Sequence, residues 1–145
     1  MDTYDWLLFL HLVAAAMAVA GVVIYWTLYT VTGPDPAAPS EASVPRTPAL
    51  QLAPLADVLW SIGGLGVLVL GVALAIQVDG YEVWDAWVLA AIVLWMIAGE
   101  TGRRVGLGYR NLRTGTGPRA SIALHAIVAL ALLALLVDMI YKPGA

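Results

Sequence analysis

Four apolar runs dominate what this chain can become. The runs are Trp6 to Val31, Leu55 to Gln77, Trp84 to Gly99 and Ile122 to Tyr141. About 20 apolar residues cross a hydrocarbon core of roughly 30 Å as a helix rising 1.5 Å per residue. A transmembrane barrel would show short alternating strands instead, so the expected class is all-α: a polytopic membrane protein, four transmembrane helices in an up-down bundle. Of 145 residues, 61% are hydrophobic and only 12% are charged, against roughly a quarter charged in soluble domains. There is no cysteine, which excludes disulfides, thiolate metal sites and thiol redox chemistry.

The opening "MDTYDW" is acidic and lacks the basic region of a secretory signal. The run behind it is too long for a signal core, so it is expected to remain as the first helix. One domain over 1–145 is expected, with helices at about 6–31, 55–77, 84–112 and 122–141. Residues 32–54 hold six of the eight prolines and read as an extended or mobile loop. The short acidic "VDGYEVWDA" predicts a tight antiparallel hairpin between helices 2 and 3.

Counting Lys and Arg sets the expected orientation. The 1–2 and 3–4 loops carry Arg46, Arg103, Arg104, Arg110, Arg113 and Arg119, while the termini and the 2–3 turn carry only Lys142. Both termini should face outward, and the Arg-rich loop should face the cytoplasm of a bacterial inner membrane. Trp6, Trp84, Trp87 and Tyr141 then form an outer aromatic belt, and Trp26, Tyr29 and Trp60 an inner one. The five arginines of the 3–4 region are explained by orientation and anionic-lipid contact, with no nucleic acid required.

Ionisable groups inside a membrane are costly and mark candidate sites. Here they are His11, Asp57, Glu100, His125 and Asp138. The two histidines cannot share one haem iron, because helical rise places His11 roughly 10 Å outward and His125 roughly 9 Å inward of the midplane. Asp138 falls at the depth of His11, so it is expected to orient that imidazole from behind or simply to reach the interface. Asp57, Glu100 and His125 share the inner level and offer a weak alternative metal or proton site. Glu100 also has Arg103 and Arg104 at ordinary ion-pair spacing. The Asp57 face continues through Ser61, Gly64, Leu68, Gly71 and Ala75, a stripe suited to close helix packing. His125 and Asp138 lie about 140° apart around helix 4, so both should not point at the bundle centre. The His11 face carries Leu8, Ala15 and Ala18, which is either plain packing or room for a planar ligand. Met17 and Met96 sit away from His11, so the spacing gives little support for copper.

The pattern "LLFLHLVAAAMAVAGVVIYW", a glycine-rich second helix and "WDAWVLAAIVLWMIAGETGRR" resembles an uncharacterised family of small bacterial four-helix membrane proteins. That family is similar in turn to the copper-resistance D proteins and the membrane-bound protoporphyrinogen oxidases. The resemblance implies a four-helix core and a tetrapyrrole- or copper-handling role at the helix 1 histidine, here His11. It departs at one point: the oxidases use a lysine in a later helix, and the only lysine here is Lys142.

Three functions follow. The first is haem b or copper binding near His11, in a redox or transport-associated role. The second is a non-catalytic accessory subunit of a larger membrane complex. The third is proton or ion conduction by a homo-oligomer. No Ser/His/Asp set, phosphate loop or carboxylate dyad argues for an enzyme.

Overall fold

The computed structural model describes residues 2–32, 48–77, 85–116 and 118–141. Among them are four helices and no strand: α1 (Thr3–Thr32), α2 (Ala53–Gln77), α3 (Ala86–Thr114) and α4 (Ile122–Tyr141). A 3₁₀ turn, Pro48–Leu52, leads into α2, so the C-terminal end of the proline-rich loop is wound rather than extended. All four helices are long and apolar enough to cross a membrane. Arg46, Trp84, Lys142, the 2–3 turn and residues 33–47 lie outside the described residues, with the expectations that fell on them.

Glycine and alanine decide which helices meet. A Cβ on Gly63 would come within 2.5 Å of the Ala18 nitrogen and 2.7 Å of the Ala14 carbonyl, and one on Gly21 within 3.0 Å of the Trp60 nitrogen. The α1 and α2 backbones are therefore almost in contact, as small residues allow where lipid supplies no hydrophobic drive. These contacts pair falling α1 numbers with rising α2 numbers, so the two helices are antiparallel. The helix 2 stripe predicted for close packing is displaced: Ala53, Ala56, Trp60 and Gly63 are its buried residues, and nothing lies within 4 Å of a Cβ on Gly64. That face instead borders a groove.

α3 packs chiefly on α4, while the α2/α3 and α1/α4 seams are much more sparsely packed. α3 ends at Gly115, whose left-handed φ of 71° suits a residue without a side chain, and its N–H bonds the Asn111 carbonyl. The return is tight because Gly108 leaves room for the Ala120 backbone. Arg119 then donates to the Thr32 carbonyl at 2.9 Å, covering an orphan acceptor at the end of α1. Large apolar side chains such as Val23, Leu65, Val69, Leu130 and Ile140 face outward on all sides, as lipid-exposed positions would.

Candidate functional site

Two polar sites lie at opposite ends of the bundle. At the arginine-rich end, Asp57 is the hub. Its Oδ1 accepts from the Tyr25 hydroxyl at 2.6 Å and its Oδ2 from Arg110 Nε at 3.1 Å. Room for this comes from Gly106, where a Cβ would strike the Asp57 carboxylate. One turn away, the Trp60 indole lies against Gly102 in the same manner. The spacing Gly102–Gly106 is one helical turn, so α3 presents a flat strip to α2.

His125 is fully buried. Its Nδ1 lies 2.9 Å from the Ser121 carbonyl, which can only accept, so Nδ1 carries a proton. Its Nε2 faces the Tyr109 hydroxyl at 2.9 Å, and that hydroxyl is also 2.8 Å from the Tyr25 carbonyl. With a neutral ring, the single Tyr109 proton serves two acceptors. The rings of Trp26, Tyr29 and Tyr109 surround the imidazole, with centroids 5.8, 4.9 and 5.7 Å away, and Tyr25 stacks on Tyr109 at 5.7 Å and 5°. This cluster ties α1, α3 and α4 together.

The inner metal alternative does not assemble. Asp57 is taken by Tyr25 and Arg110, and His125 by Tyr109 and Ser121. Glu100 is held by Arg103 at 2.9 Å and Arg104 at 2.7 Å. Among the described residues no three His, Asp or Glu side chains converge as a metal site.

At the other end lies an apolar cavity of about 500 Å³ between α1, α2 and α4. His11 lines it together with Tyr4, Leu8, Ala15, Leu136 and Met139. The imidazole packs on Gly71, where an added Cβ would sit 3.2 Å from its Cε1; its buried Nδ1 makes no well-formed hydrogen bond, and the Val67 carbonyl is the polar backbone group beside the ring. The expected support from Asp138 is not formed: Asp138 is buried on α4, its Oδ2 also has no hydrogen-bond partner, and no hydrogen bond joins it to His11. His125 and Asp138, expected not to point together at the bundle centre, are both buried. The buried stripe His125, Val128, Ala131, Leu135, Asp138 winds around α4 as its neighbours change along the bundle.

One nitrogen in an apolar slot suits a group that brings most of its own ligands. A haem supplies four pyrrole nitrogens and asks for an axial histidine, whereas a bare copper ion takes several donors from the protein. Among the cavity residues Tyr4 and Met139 could join His11 as metal donors.

In comparisons with family models, curated proteins and solved structures, nothing matched this chain.

The sequence pointed to His11, Asp57 and His125 as polar residues to watch but not to the partners seen here, whereas it paired Glu100 with Arg103 and Arg104. Tyr109 was missed, and Arg110 was read for orientation and lipid contact only, without its bond to Asp57. The Gly102–Gly106 step beside them was the available signal, since glycine at helical spacing invites a close neighbour.

Proposed function

We propose that this chain is an integral membrane protein that binds a lipophilic ligand of the tetrapyrrole class in the outer cavity, with His11 as its polar anchor. The observation that carries this is the His11 imidazole on the wall of an otherwise apolar cavity. Binding sites commonly combine apolar walls with one or two fixed polar groups. When bound, haem would supply redox chemistry, and His11 would hold it while the apolar walls exclude water. On this reading the arginine-rich end is cytoplasmic and both termini are outside, as the positive-inside bias favours.

The test is a visible absorption spectrum of protein purified from membranes in mild detergent, with haemin added where none co-purifies. A Soret band that His11→Ala abolishes and Asp57→Asn leaves in place is expected. A colourless wild-type protein that haemin does not stain, travelling in stoichiometric amounts with a larger complex, would replace this reading with the accessory-subunit one.

A further inference from the structure

The sparse seam between α2 and α3 encloses a groove of about 660 Å³ that the His11 reading leaves unused. Its floor is apolar, formed by Trp60, Leu65, Trp95, Met96 and Leu132. Its mouth carries Arg103 and Arg110 beside Asp57 and Glu100. Two glycines face it from opposite helices, Gly64 on α2 and Gly99 on α3, and neither has anything within 4 Å of where a Cβ would be. Glycine inside a helix costs roughly 0.5–1 kcal/mol relative to alanine. At Gly63, Gly102 and Gly106 that cost admits a neighbouring chain segment; at Gly64 and Gly99 the chain supplies no neighbour.

We infer that this groove holds one acyl chain of a glycerophospholipid whose phosphate is bound by Arg110 and Arg103. The charge at the mouth favours a phosphate over a cationic group. Both carboxylates are already engaged, Asp57 by Tyr25 and Arg110, and Glu100 by Arg103 and Arg104. The spare polar capacity consists of donors. Arg110 uses only Nε toward Asp57 and its side chain is 64% exposed, whereas Arg103 already forks onto Glu100 through Nε and Nη2 and offers its remaining N–H groups. Arginine forks bind phosphate oxygens in pairs. Those donors stand where the groove's apolar floor begins, so a lipid, rather than free phosphate, satisfies both parts. Trp95, whose indole donates to the Gly64 carbonyl at 2.8 Å, closes the far side of the floor.

Native mass spectrometry of the full chain, released from nanodiscs containing phosphatidylglycerol and phosphatidylethanolamine, tests this. The wild type should keep one phospholipid per chain, and millimolar inorganic phosphate should not displace it. Arg110→Gln should lower lipid occupancy about tenfold, the effect of losing one charge-assisted contact. Because Arg110 also steadies Asp57, Gly64→Leu and Gly99→Leu provide the independent arm: they fill the groove, should leave helicity and melting intact, and should lose the lipid. Equal lipid retention in folded Gly64→Leu and Gly99→Leu variants overturns the proposal. So does a wild-type dimer that either glycine variant converts to monomer, since a second copy would then be the occupant. None of these readouts involves haem binding, so a failure at His11 would leave this result standing.

Discussion

Tyr25 serves the bundle through two different atoms. Its hydroxyl satisfies Asp57 and its carbonyl accepts from Tyr109, so one residue of α1 meets α2 and α3 at once. Tyr25→Phe keeps the ring stacked on Tyr109 but leaves a largely buried carboxylate oxygen short of a donor. The expected loss is about 1–3 kcal/mol, read as a lower melting temperature in detergent. Tyr109→Phe should cost a similar amount, because both His125 Nε2 and the Tyr25 carbonyl lose their donor. In the His11 cavity, Gly71→Ala presses a methyl group against the imidazole at 3.2 Å. If His11 anchors a ligand, this change should weaken the Soret band without unfolding the protein. An unchanged spectrum would argue that the ring position is unimportant.

At the scale of elements, the α1/α2 pair depends on backbone approach rather than on interlocking large side chains. Gly63→Leu should therefore disrupt this pair more than Leu65→Ala, which trims a lipid- and groove-facing position. Melting temperatures of the two variants would rank them. The sequence made the helices legible because lipid demands long apolar runs whatever their neighbours are. It also gave the Glu100 ion pairs, which are local at three and four residues. The partners of Asp57 and His125 were not legible, because they depend on how far each helix is rotated about its axis. The runs here are apolar on nearly every face, so the pattern carries little rotational information. Gly64 illustrates the gap: its neighbour Gly63 is the residue buried against α1, and one residue turns the helix by about 100°.

At the scale of the whole molecule, the absence of cysteine makes topology directly testable. Single cysteines at Thr3 and Thr116 can be labelled with an impermeant maleimide. If the positive-inside reading holds, Thr3→Cys reacts in cells whose outer barrier alone is opened, and Thr116→Cys reacts only after the inner membrane is permeabilised. The reverse pattern would invert the protein. Hydrogen bonds also divide the molecule unevenly. Those described between the α1/α2 pair and the α3/α4 pair, from Tyr109, Arg110 and Trp95, lie in the arginine-rich half or near mid-membrane, as does the Arg119 bond to Thr32. Around His11 the two pairs meet mainly across apolar side chains and a void. The cavity beside His11 therefore sits where α1 and α4 touch least, and in micelles, without the lateral pressure of a bilayer, this α1/α4 seam is the part expected to loosen first.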